Sequence, residues 1–116
     1  LKSEKNFEFV AVLKKTEQNK IPMDKVVGYC IGGQSNRPPV YKTQKIGVIS
    51  DIAISVDYRR KKAGYSLYEE AKKWFVAHEL ARIELNVATK NEISTQFWRH
   101  LGFEPYMEVM YQESDE

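Results

Sequence analysis

The sequence predicts an α/β fold in which helices and strands share one mixed sheet. An antiparallel meander leads into a βαβ unit, followed by a second helix and a short final strand. Three observations carry this. Ile46 to Val56 (IGVISDIAISV) is rich in β-branched residues and has no breaker after Gly47, so it reads as a strand. From Gly64 the period changes: Leu67, Tyr68, Ala71, Trp74, Phe75 and His78 recur at helical spacing, with Glu69, Glu70, Lys72 and Lys73 on the opposite face. Alternation then returns in Ile83, Leu85 and Val87, so strand, helix and strand form a βαβ unit with parallel strands and a right-handed crossover.

The first strand is expected at Phe7, Phe9, Ala11 and Leu13, which alternate with Glu8, Val10, Val12 and Lys14. A polar loop comes next, from Lys15 to Lys25. Val26 to Ile31 reads as the second strand, closed by Gly32-Gly33, with Gly28 marking a bulge or a close contact. Pro38-Pro39 cannot lie inside a ladder, so the segment from Gln34 to Gln44 is a loop. Short connections make these strands antiparallel neighbours. Beyond the βαβ unit, a helix is predicted from Asn91 to Leu101. Its cap is either Thr89 with Glu92 as a capping box or Asn91 itself. Ile93, Phe97 and Leu101 form its buried stripe, flanked by Trp98. Gly102 ends it in a left-handed conformation, and Phe103 folds back onto the last turn. Tyr106 to Gln112 reads as the short final strand, before an acidic tail.

Composition narrows the function. A chain of 116 residues with 42% hydrophobic residues is expected to form a single domain over residues 1–116. Eighteen Lys and Arg against sixteen Asp and Glu give a net charge of +2, which argues against a bulk polyanion binder. One cysteine, Cys30, excludes an internal disulfide and a cysteine-based zinc cluster, and no metal is expected. Within its apolar strand Cys30 reads as a small core residue, and Tyr29 as a packed aromatic with its hydroxyl at the rim. No apolar run approaches a membrane span and the start is not a signal peptide, so a cytoplasmic setting is the expectation.

The chemistry is expected at the first strand-to-helix turn. A helix start leaves backbone N–H groups unpaired and carries the positive end of the dipole. Here Gly64 lets a ligand approach the backbone, and Arg59, Arg60, Lys61 and Lys62 stand beside it. A phosphate or pyrophosphate fits such a site. A solvated basic turn is the alternative reading of the same run.

Two patches in fixed order together resemble the GNAT superfamily of acetyl-CoA-dependent N-acetyltransferases. In the first, Ile52 to Leu67 (IAISVDYRRKKAGYSL) looks like the family's pyrophosphate motif, Arg/Gln-x-x-Gly-x-Gly/Ala before a helix, with Arg59 at the Arg position and Gly64 at the second glycine. In the second, Asn91 to Phe103 (NEISTQFWRHLGF) looks like the family's Asn-x-x-small-x-x-Phe-Tyr-x-x-Leu-Gly-Phe segment. Lys62 stands where the first glycine is expected. Trp98 stands where the family often has a tyrosine regarded as general acid, a role the indole N–H cannot fill.

The resemblance implies a GNAT-like fold and acetyl-CoA as acyl donor. The pantetheine arm would pair with an exposed strand edge, and the pyrophosphate would rest on N–H groups at the helix start. The implied cofactor-binding residues are Ile54, Val56, Arg59, Arg60, Lys61, Lys62, Ala63, Gly64, Tyr65, Ser66, Asn91 and Trp98. Acetyl transfer to an amine needs a base, for which Asp51 is the first candidate and Glu84 the second. Tyr65, Tyr68 and Tyr106 are candidate acids in place of Trp98. The family usually begins with another strand and one or two helices that wall the acceptor pocket. With Leu1 first and a strand pattern already at Phe7, the expectation is that a companion N-terminal segment, or a second copy in a homodimer, supplies that wall.

Three function classes emerge: an N-acetyltransferase acting on a small-molecule or protein amine, a catalytically weak or inactive GNAT-like module that binds CoA or a partner, and a nucleic-acid binder using Arg59 to Lys62. The near-neutral charge and the lack of a second basic or aromatic recognition patch argue against the third.

Overall fold

The computed structural model describes residues 5–13, 23–36, 45–55 and 62–114. Four strands and two helices occur in the order β1 (Asn6–Leu13), β2 (Lys25–Asn36), β3 (Lys45–Ile54), α1 (Ala63–Ala77), β4 (Ile83–Leu85) and α2 (Glu92–His100). The chain divides into two compact units, Leu1–Leu85 and Asn86–Glu116.

In the first unit the sheet order is β1-β2-β3-β4. β1 with β2 and β2 with β3 are antiparallel, and β3 with β4 is parallel, as the meander and the βαβ unit require. α1 turns Leu67, Tyr68, Ala71 and Phe75 into the core and leaves Lys72 and Lys73 outside. Phe75 is fully buried, and its ring lies over Gly47: a Cβ there would come within 2.5 Å of Phe75 Cδ1. Phe7 of β1 meets Phe75 edge-on at 5.4 Å and Trp74 at 5.1 Å, so one aromatic cluster joins helix and sheet. Leu80 closes the helix end. Its N–H reaches the Phe75 carbonyl at 2.9 Å and the Glu79 N–H reaches Val76 at 3.0 Å, with Glu79 left-handed at φ 59.

β2 is longer than the sequence predicts. It runs through Gly32-Gly33 to Asn36, where a strand end and a loop are expected. These glycines do not break the strand. Gly32 makes room for a neighbour, since a Cβ there would lie 2.6 Å from the Phe7 ring. Gly28 combines both expected roles. The β1–β2 register shifts beside it, with Ala11 opposite Gly28 and Val12 opposite Val26, and a Cβ would lie 2.6 Å from Ile54 Cδ1. β4 stops at Leu85, short of its expected end at Val87; β3 runs to Ile54, and its expected end at Val56 lies outside the described residues. His78 is also corrected. It is exposed rather than part of the buried stripe, and its ring stacks on Trp74 at 3.8 Å.

In the second unit Asn91 is the cap: its side-chain oxygen accepts from the Ser94 N–H at 3.1 Å. Glu92 in the first turn and Arg99 and His100 in the last match the helix dipole. Gly102, at φ 97, and Phe103 end the helix as predicted, with the Phe103 N–H on the Trp98 carbonyl at 3.0 Å. The buried stripe is different. Trp98 is the buried residue, packed edge-on against Phe97 and Phe103, while Ile93 is 75% exposed. Tyr106 to Gln112 forms no strand. A strand needs a ladder, and among the described residues this segment joins none of the sheet's ladders; Met107, Val109, Met110 and Tyr111 are all exposed.

Three outcomes test this packing. Glu79→Gly relieves a left-handed non-glycine residue and should raise the unfolding free energy by about 1 kcal/mol in urea titration. Gly47→Val drives a side chain into the Phe75 ring and should destabilise by about 2 kcal/mol or more. Burial, helped by the Asp51 charge, pushes the Cys30 thiol up to about 11 from its ordinary 9. The folded state therefore keeps a proton that the unfolded chain loses, and stability should fall as pH rises through that window. Cys30→Ala should flatten that fall relative to the parent protein.

Candidate active site

The first unit contains both the end of β3 and the start of α1. β4 accompanies β3 only from Gly47 to Ile49, where Leu85 is its last partner. Beyond that point no strand among the described residues pairs the β4-side edge of Ser50 to Ala53. The β2–β3 register also shifts there: Gly32 faces Ile49 and Ile31 faces Asp51, so Ser50 is the extra residue of a bulge. A parallel pair that separates at a bulge leaves strand edge for an extended, amide-bearing ligand.

α1 begins at Ala63, capped by Lys62 with φ 64 and ψ 11. The position where a glycine is expected from the motif thus adopts the conformation that favours glycine, and lysine takes it at a cost of about 1–2 kcal/mol. Lys62 makes no side-chain cap, and the first turn holds no acidic residue. The first intrahelical bond runs from the Ser66 N–H to the Lys62 carbonyl at 3.0 Å. The N–H groups of Ala63, Gly64 and Tyr65 precede it and, among the described residues, have no acceptor within the helix. Gly64 is buried, Ala63 is half-buried, and Tyr65 and Ser66 are exposed. The Tyr65 hydroxyl is held by the Glu69 carboxylate, which pushes its pKa up. Of the other residues expected here, Ile54 closes β3, half-buried. Val56, Arg59, Arg60 and Lys61 lie outside the described residues. Asn91 and Trp98 belong to the second unit, one as a helix cap and the other as that unit's buried aromatic.

Both candidate bases lie on the sheet face away from α1. Gly47 faces Phe75, and Ile83 and Leu85 share that side by register, so Glu84 points the other way, opposite Val48. Glu84 is held by Arg82, Nε to Oε2, at 2.7 Å. Asp51 sits three residues beyond Val48, about 10 Å along the strand. It is exposed, and its Oδ2 accepts the Tyr29 hydroxyl at 2.7 Å. That hydrogen bond is the first cause raising the Tyr29 pKa above its ordinary 10. Sequence reasoning missed Tyr29. Tyr29 faces Ala53, which makes it a diagonal neighbour of Asp51, and only the register reveals that relation. A cavity of about 410 Å³ between β1 and α1, lined by residues including Phe9, Ala11 and Leu67, includes neither candidate base.

The chain resembles known proteins at the level of fold. The BH1408 protein from Bacillus halodurans, as a tetramutant, superposes with a TM-score of 0.76 at 24% identity, covering 96% of this chain and 67% of that one. The aminoglycoside 6'-N-acetyltransferase AAC(6')-IG from Acinetobacter haemolyticus gives 0.72 at 16% identity, covering 98% and 73%. AAC(6')-Iy, in complex with the bisubstrate analogue CoA-S-monomethyl-acetylneamine, gives 0.77 at 13% identity, covering 97% and 71%. No curated protein matches the sequence. The mixed sheet and helices common to these structures agree with the family match, in which the Acetyltransferase (GNAT) model spans residues 3–103. On that span the chain belongs to the GNAT acetyltransferase family.

Proposed function

We propose that this chain works as one domain and transfers acetyl directly from acetyl-CoA to a primary amine of a small molecule or a protein. One observation carries the reading: among the described residues, the α1 start has three N–H groups without acceptors within the helix, no acid in its first turn and a left-handed Lys62. The β3 edge released after Ile49 precedes that start in the chain. A CoA pyrophosphate suits the first feature and its pantetheine amides suit the second. Arg59, Arg60 and Lys61 would neutralise phosphate charge, with Val56 and Ile54 along the arm. The analogue bound to AAC(6')-Iy supports CoA as the ligand class.

In the transfer, the amine nitrogen attacks the thioester carbon while backbone N–H groups polarise the carbonyl. Asp51 takes the amine proton, and the CoA sulfur leaves as a thiolate, which is stable enough to depart without an acid. Asp51 is preferred to Glu84 because Glu84 is engaged with Arg82 at 2.7 Å. A second reading, a module that binds CoA without transferring acetyl, is favoured by Trp98. Its ring packs against Phe97 and Phe103, and an indole cannot serve as general acid.

Acetyl-CoA at about one hundred times its Kd should raise Tm by roughly 10 °C. Gly64→Trp should abolish that shift while the domain stays folded by circular dichroism; retained affinity would put the phosphate site elsewhere. Release of free CoA with a panel of primary amines separates the enzyme from the binder, and Asp51→Asn should lower turnover about a hundredfold or more. Lys62→Gly should raise stability by about 1 kcal/mol, because glycine adopts its left-handed backbone without strain.

A further inference from the structure

Tyr29 lies on β2, half-buried, on the same face as Asp51. Its hydroxyl donates to Asp51 Oδ2 at 2.7 Å, the short distance typical of a hydrogen bond to a charged acceptor. The two residues are diagonal across β2 and β3, and the pairing is built into the register. Tyr29 faces Ala53, Asp51 faces Ile31, and the bulge at Ser50 falls immediately before Asp51. A bulged residue is held less firmly by its ladder than a regular one. An aspartate beside a bulge therefore needs a second contact to fix its carboxylate, and among the described residues Tyr29 is the side chain that donates to it.

We infer that Tyr29 is the positioning residue for Asp51: its hydroxyl occupies Oδ2, which directs Oδ1 to the incoming amine. This rests on the reading of Asp51 as the base. Tyr29 touches neither the thioester nor the amine in this scheme, and it stays protonated throughout. The attachment runs from a regular β2 position to the β3 residue that follows the bulge, so the regular strand orients the irregular one. The energetic logic is that of a preorganised base. A carboxylate held in one rotamer meets the amine without reorganising at the moment of proton transfer.

The test is a double-mutant cycle with Tyr29→Phe and Asp51→Asn, assayed with the amine of the panel that releases CoA fastest. Tyr29→Phe should lower kcat about tenfold and leave the KM for acetyl-CoA unchanged. In the Asp51→Asn background it should have no further effect, because a residue acting through Asp51 has nothing left to position. An unchanged kcat in Tyr29→Phe, with Asp51→Asn severely impaired, overturns the role of Tyr29 and leaves the base in place. Equal losses in both backgrounds overturn it also, by showing that Tyr29 acts independently. Full activity in Asp51→Asn, or no turnover with any amine, removes the base itself and the inference with it. A readout without turnover accompanies these assays. In protein carrying isotope-labelled tyrosine, the Tyr29 hydroxyl should titrate above the ordinary tyrosine range and move down in Asp51→Asn. An unmoved titration means that the hydrogen bond is not made in solution, and overturns the inference.

Discussion

The ring of Phe75 lying over Gly47 is the contact on which the first unit depends. It seats α1 on β3, and it works only because residue 47 has no side chain. Phe7 and Trp74 pack around the same ring, so β1 is tied to the helix through it. Phe75 is fully buried, and truncating such a residue costs about 3–5 kcal/mol. Leu80 then turns the chain back at the helix end through a bond to the Phe75 carbonyl. One residue thus fixes the helix against the sheet by its ring and ends it by its backbone.

Seating α1 at that point also sets where its start falls. The helix is 15 residues long, so anchoring Phe75 near its C-terminal end leaves the Lys62–Ser66 turn at the far end. Short parallel pairing does the rest. β4 has three residues, enough to define a parallel partner for Gly47–Ile49 and too few to cover Ser50 to Ala53. The released edge is a consequence of that short β4. A longer β4 would stabilise the sheet and close the edge on which an extended ligand would add as a strand.

Much of this is legible in the sequence, because it is local. The period change at Gly64, the Asn91 cap, and the Gly102-Phe103 ending each come from residues within one turn of the chain. Lys62 is the sharpest case. Motif position alone marks it as a glycine site, and its backbone is left-handed. What escapes the sequence depends on distant partners. Gly32-Gly33 looks like a strand end until Phe7 is seen to need the space above it. Tyr106 to Gln112 reads as a strand by composition, yet composition supplies no ladder partner. Ile93 and Trp98 exchange roles because Phe103, folding back over the helix end, covers one and not the other. Tyr29 and Asp51 are 22 positions apart, and only a register with a bulge makes them neighbours.

In the proposed function the start of α1 receives the CoA pyrophosphate. Backbone amide resonances of the isotope-labelled protein, tracked as CoA is added, test this most directly. The amides of Ala63, Gly64 and Tyr65 should shift most, as N–H groups at the helix start gain phosphate oxygens. Smaller shifts should run along Ser50 to Ala53. Shifts confined to the cavity between β1 and α1, with the Ala63–Tyr65 amides unmoved, would contradict it.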